Sequence, residues 1–301
     1  MTVNTSPEAA APQDIEMLPG RTRAVRVVSP GQTGRSKRGR LQRLVIGLLI
    51  AVVFFVLYLP PGIMAMFSFG SKKVQTLPLG DFTLDWYAKL MHNDALLSAL
   101  GYSLRVSLTA VFVALVLGTL FALILWRPFR SSRVWQAMLA LPMLLPGMVL
   151  GVSLLLTFKI IGIERGFLSL VIGHAVFIVP VIVFVVGQRL NSLDPTLLHA
   201  SRDLGATPWR AFWSVTFPLL RTALLAGGLL GLTLSFDELA ASFFISGFEQ
   251  TLPVSVWGML RLGFDPQVNA VFTLLLIVSI LVVFIAYRLM RRQLKAAAKR
   301  E

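Results

Sequence analysis

Cysteine is absent from this 301-residue chain, which excludes a disulfide framework, a thiolate metal site and a cysteine nucleophile. Charge is scarce too: 14% of the residues are Asp, Glu, Lys or Arg, against about a quarter in soluble domains, and 56% are hydrophobic. An ordinary soluble fold is thereby excluded, and an all-α integral membrane protein is expected. The three histidines are scattered, no HExxH pattern occurs, and neither Ser153 nor His174 has a glycine-serine-glycine context. The residues therefore supply no catalytic set for an intramembrane protease and no metal site. Acids are the scarcer charge, 14 against 28 Lys and Arg. The basic residues lie in tails and short loops between apolar runs, where the anionic leaflet of a bilayer attracts them, so the lipid bilayer rather than nucleic acid is the expected partner.

What the chain has is long apolar runs. Crossing about 30 Å of hydrocarbon takes roughly 20 residues, and six runs qualify, near 44–68, 104–126, 136–158, 167–188, 219–245 and 269–289. Basic residues cluster in alternate flanks: Arg21 to Arg43 before the first run, Arg127, Arg130 and Arg133 after the second, Arg189, Arg202, Arg210 and Arg221 around the fourth and fifth, and Arg288 to Arg300 at the end. The other flanks hold only Lys72, Lys73, Lys89, Arg105, Lys159, Arg165 and Arg261. The positive-inside rule then predicts six spans with both termini cytoplasmic. The expected organisation is a disordered basic tail over residues 1–42, a six-helix transmembrane domain over 43–290 and a basic tail over 291–301. The first run is too long, and begins too late, for a cleavable signal peptide.

Local signals refine this plan. Asp85, Trp86, Tyr87 and Leu90 predict a short amphipathic helix lying on the membrane interface, and Trp126 and Trp135 bracket the second cytoplasmic loop at headgroup level. Pro60, Pro61, Pro142, Pro146 and Pro180 predict kinks or a water-lined cavity. Gly147 with Gly151, and Gly227 with Gly231, have the small-xxx-small spacing of closely packed helices.

One polar insert interrupts the apolar pattern, within residues 189–220. Asp194 before Pro195 reads as an N-cap with proline at the first helical position, and Gly205 as a left-handed terminus. This predicts a short helix from Pro195 to Leu204. Thr207 and Pro208 repeat the cap, starting a second helix expected to end before Pro218. A plain connector needs about two to eight residues, so two capped helices carrying Trp209, Phe212 and Trp213 read as a docking knob for a partner.

The run His199, Ala200, Ser201, Arg202, Asp203, Leu204, Gly205, Ala206, followed by Pro208, Phe212, Val215 and Pro218, resembles the EAA loop of permease subunits in binding-protein-dependent ABC importers. His199 stands for the usual Glu, Ser201 for the second Ala and Phe217 for the Leu before the proline. The resemblance implies a type I ABC importer permease fold in the bacterial inner membrane, with a coupling helix seated in an ATPase subunit. It further implies a pair of ATPases that bind ATP and Mg, a second homologous permease forming a heterodimer, and an extracytoplasmic solute-binding protein. This chain would bind no cofactor and perform no catalysis itself. Residues 82–90 (FTLDWYAKL), Ser103 to Arg105, and Ser235, Phe236, Asp237 and Glu238 with Thr251, Leu252 and Pro253 resemble the polyamine (spermidine/putrescine) branch.

Asp237 and Glu238 fall in the fifth apolar run. A carboxylate at a helix centre costs on the order of 2.5–3.5 kcal/mol on insertion scales, so such a residue should face a cavity, a cation or a donor. Neighbours on a helix point about 100° apart, and Asp237 is taken as the cavity-facing acid. The expected substrate path comprises Ser235, Phe236, Asp237 and Glu238 with Phe243 and Trp257, whose rings offer cation–π contacts to a small cation. The bland reading places both acids at the outer, solvated end of the span. An ion-coupled secondary transporter is the rival class, and ferric iron, opines and phosphonates are rival solutes.

Overall fold

The structure, a computed structural model, describes residues 37–126, 132–263 and 265–297. The expectations for residues 1–36, Arg127, Arg130 and the last four residues lie outside the described residues. The described chain is helical: α1 (Lys37–Phe67), α2 (Asp85–Met91), α3 (Asp94–Trp126), α4 (Ser132–Leu144), α5 (Gly147–Ile161), α6 (Phe167–Asn191), α7 (Pro195–Asp203), α8 (Pro208–Ala211), a π-helical turn (Phe212–Thr216), α9 (Phe217–Phe236), α10 (Ser242–Ile245), α11 (Leu252–Leu262) and α12 (Gln267–Ala297). It divides into two compact units between Leu59 and Pro60. The first contains most of α1, an uninterrupted apolar helix on which Phe54 and Tyr58 stack at 6.0 Å.

In the second unit, α6 packs between α3 and α9 and is the most enclosed of the long helices. Lipid tails are as apolar as leucine, so helices associate in a bilayer through close packing rather than burial from water. The sequence supplies that packing with glycine. A Cβ on Gly118 of α3 would lie 2.6 Å from the Ile182 Cβ, and one on Gly231 of α9 would lie 2.8 Å from the Ile178 Cγ2. Around these contacts Ala110, Ala114, Ile178, Ile182, Val186, Leu190 and Leu220 form a buried core.

Two apolar runs differ from the expected straight spans. The third is α4 and α5, bent by 105° between Leu144 and Gly147. Pro146 has no N–H to continue the ladder and disfavours helix in the residue before it. The fifth run stops at Phe236 rather than continuing to residue 245, and residues 237–241 form a non-helical break before α10. The sixth lies within the continuous helix α12. Among the described residues, four helices are long and apolar enough to cross a membrane, or five if α4 and α5 form one span.

Two smaller expectations are refined as well. The helix around Trp86 exists as α2, and its Trp86 and Leu90 are buried in protein. Trp86 and Leu90 pack with Leu252, Val256, Val268 and Val271, and the Trp86 Nε1 donates to the Gly70 carbonyl at 2.8 Å. The helix that starts at Pro208 does not end before Pro218. The Phe217 N–H bonds to Phe212, five residues back, so the chain widens by a π turn and runs on as α9. Proline at 218 lacks an N–H for Ser214 and its ring crowds that carbonyl; the wider turn accommodates it.

Candidate functional site

Two places carry chemistry that the bundle itself does not need. The first is the turn between α7 and α8. An Asp194 carboxylate oxygen accepts the Thr196 N–H at 2.9 Å, and hydrogen bonding to Thr196 holds this carboxyl below the usual carboxylate range. The Thr207 hydroxyl accepts the Arg210 N–H at 3.3 Å, so both helices begin on side-chain caps. Between them the Gly205 N–H donates to the Arg202 carbonyl at 2.8 Å and the Ala206 N–H to the Ser201 carbonyl at 3.0 Å. That is a Schellman closure, with Gly205 at φ +78°. A Cβ on Gly205 would meet nothing within 4 Å, so the dihedral alone calls for glycine.

The turn projects its side chains outward. Leu204 is 89% and Trp209 71% exposed. His199, Ala200, Asp203, Gly205, Pro208 and Pro218 are exposed, whereas Ala206 and Phe212 are half-buried. Trp213 sits at the centre of an aromatic cluster, 5.6 Å from Trp209, 5.2 Å from Phe212 and 4.9 Å from Phe217 between ring centroids. His199 also lines a recess of about 420 Å³ with Leu123, Trp126, Arg202 and Phe212. Sequence alone did not reveal that recess, because it joins α7 to the distant end of α3. The Arg189 Nε, donating to the Leu219 carbonyl at 3.0 Å, ties the end of α6 to the start of α9.

The second place is the break after α9. Asp237 terminates α9 and is exposed. Glu238 is half-buried, and its Oε1 accepts the Ala241 N–H at 2.7 Å, which caps the turn into α10. The acids thus stand where the helix stops, not at the middle of a continuous helix. Ser235, expected on the path, is buried: its hydroxyl is 2.7 Å from the His174 Nδ1. Phe236 is half-buried against the cluster around Trp86 and Leu252. Phe243 and Trp257 are exposed. Among the described residues, neither a hydrogen bond nor a ring contact links Trp257 on α11 to the acids.

The break is held from the α5 side by the glycines that sequence spacing singled out. A Cβ on Gly147 would lie 2.9 Å from the Ala240 Cβ, and one on Gly151 would lie 2.8 Å from the Ala241 Cα. The small-xxx-small pair of α5 therefore receives the non-helical segment rather than another long helix.

Comparison with known proteins places these features in a wider set. The profile of the family described as "Binding-protein-dependent transport system inner membrane component" matches residues 114–296. The putrescine transport system permease protein PotI of Escherichia coli strain K12 is 37% identical over 253 residues, covering 81% of this chain and 90% of that protein. The spermidine/putrescine transport system permease protein PotC of the same strain is 36% identical over 252 residues, covering 83% and 95%. A chain from the crystal structure of a bacterial ABC transporter involved in import of the acidic polysaccharide alginate matches with a TM-score of 0.64 at 19% identity, covering 85% of this chain and 98% of that one.

Proposed function

The chain belongs to the family of binding-protein-dependent transport system inner membrane components, and from that premise we propose that it conducts a small cationic solute of the polyamine type. It is the permease of an ABC importer, a multi-pass inner membrane protein whose family lacks catalytic activity. The ion-coupled secondary carrier, a rival on sequence grounds, is thereby set aside. The reading of the solute rests chiefly on one observation: Asp237 is an exposed carboxylate at the point where an apolar span stops. At a separation of about 4 Å and an effective dielectric near 20, a carboxylate attracts an ammonium by about 4 kcal/mol. The proposed path also takes in Glu238 and the exposed rings of Phe243 and Trp257, which offer cation–π contacts. The names of the two permeases at 36–37% identity support the same substrate class.

The proposal has a coupling half. Residues 194–218, with His199, Ala200, Asp203 to Ala206, Pro208, Phe212 and Pro218, dock in an ATPase subunit, where ATP and Mg are bound. Trp209 and Leu204 supply the apolar contact, and Gly205 sets the angle between the two helices. Six spans with both termini cytoplasmic put this loop on the ATPase side. A basic tail over residues 1–42 and another over 291–301 flank the 43–290 domain. A homologous permease completes the path, and an extracytoplasmic binding protein delivers the solute.

The test is uptake of labelled putrescine by cells carrying the full importer. Asp237→Asn should raise the half-saturating concentration on the order of tenfold, about 1.4 kcal/mol, with the protein still in the membrane. Unchanged putrescine uptake in that variant, or preferential uptake of an anion, overturns the cationic path.

A further inference from the structure

His174 has no part in the path or in the coupling loop, yet it is 1% exposed and both its ring nitrogens are engaged. Nδ1 lies 2.7 Å from the Ser235 hydroxyl and Nε2 lies 2.8 Å from the Ser242 hydroxyl. A neutral imidazole has one N–H donor and one bare nitrogen acceptor, and a serine hydroxyl can serve as either partner, so one side chain satisfies both hydroxyls. The two serines flank the break: Ser235 lies in the last turn of α9 and Ser242 opens α10. Residues 237–241 between them, Asp237 and Glu238 included, form a loop whose flanks are clasped by one ring.

The clasp belongs to a larger strap between α6 and the break. The Ser169 hydroxyl donates to the Ile245 carbonyl at 2.9 Å, and the Gly166 N–H donates to the same carbonyl at 3.2 Å. The Ser246 hydroxyl, itself buried, donates to the Ser242 carbonyl at 2.6 Å. On the opposite side Gly147 and Gly151 of α5 leave room for Ala240 and Ala241.

We infer that His174 is a positioning residue for the acidic break: by bridging Ser235 and Ser242 it fixes where the Asp237 carboxylate stands relative to α6. An apolar residue at 174 would leave two buried hydroxyls without this partner, a cost that rearrangement of the break would relieve. The transport consequence rests on the reading of Asp237 as a substrate contact, whereas the structural consequence does not.

The experiment therefore has two arms, both on the assembled importer. In the first, Ser246→Cys places one thiol in a chain that has no other cysteine. With His174 present the buried thiol should react slowly with N-ethylmaleimide, His174→Leu should speed labelling severalfold, and His174→Gln, which keeps a donor and an acceptor, should slow it again. Equal labelling of all three overturns the clasp. In the second arm, His174→Leu should raise half-saturating putrescine on the order of tenfold while uptake at saturation per assembled complex falls less. A loss confined to the amount of assembled complex, with unchanged half-saturation, overturns the positioning role. Asp237→Asn is the control that separates the two ideas. If it leaves half-saturation unaltered, the substrate reading of the acid fails, and the labelling arm still decides the clasp.

Discussion

Asp237 and Glu238 are neighbours in sequence with different surroundings. Glu238 turns its Oε1 back to the Ala241 N–H, and Asp237 is left exposed at the end of α9. Glu238→Gln keeps an oxygen acceptor for that N–H, so it should disturb uptake less than Asp237→Asn; a larger defect in the glutamine variant, measured as half-saturating putrescine, would reverse these roles. The sequence led to both carboxylates because an acid in an apolar run is costly, but it did not separate Ser235 from them. Ser235 faces α6 because His174, 61 residues away, occupies that side, and no local pattern reports such a contact. At Asp194 the hydrogen bonds from Thr196 depress the carboxyl pKa. The stabilisation is therefore present above the ordinary carboxylate range and is lost as pH falls through the depressed value. Amide protection at Thr196, corrected for intrinsic exchange, should drop on acidification through that range; constant protection would show that the cap does not depend on its charge.

Among the elements, the α7–α8 turn depends on one dihedral. Gly205 has open space around it but a φ of +78°, and a β-branched residue is a genuine outlier in that region. Gly205→Val should abolish uptake while the protein remains in the membrane, as measured by transport alongside quantified membrane content. The α5 glycines depend on space instead. Gly151→Leu would drive a side chain into the backbone of Ala241, an overpacking that costs about 1–3 kcal/mol. Thermal unfolding of the purified protein should shift downward, and an unchanged midpoint would mean that the break does not rest on α5. These elements were unequally legible in the sequence. The caps at Asp194 and Thr207 and the terminus at Gly205 were read correctly because each is a local device. The 105° bend was visible only as two prolines in an apolar run, since the angle is set by what α5 packs against. The π turn was missed because proline at 218 was read as a stop, whereas one wider turn lets the chain pass through it.

For the whole molecule, composition and hydropathy gave the membrane class, and the glycine spacing anticipated close packing at α9. The proposed path and the proposed coupling loop lie at different places in the chain and are joined by α9, which runs from the π turn to the acidic break. A shift of the loop can therefore reach Asp237 along a single helix. The proposed topology puts the exposed Leu204 and the exposed Phe248 on opposite sides of the membrane. Single cysteines at these positions should react with impermeant maleimide from opposite faces of sealed vesicles, and reaction from one face would refute six spans in this order. The most direct measurement is made in proteoliposomes holding this permease with its partner permease, ATPase and binding protein. ATP inside should drive accumulation of labelled putrescine, undiminished by ionophores and abolished by Gly205→Val. Failure to accumulate putrescine with ATP while an anionic solute does accumulate would contradict the account.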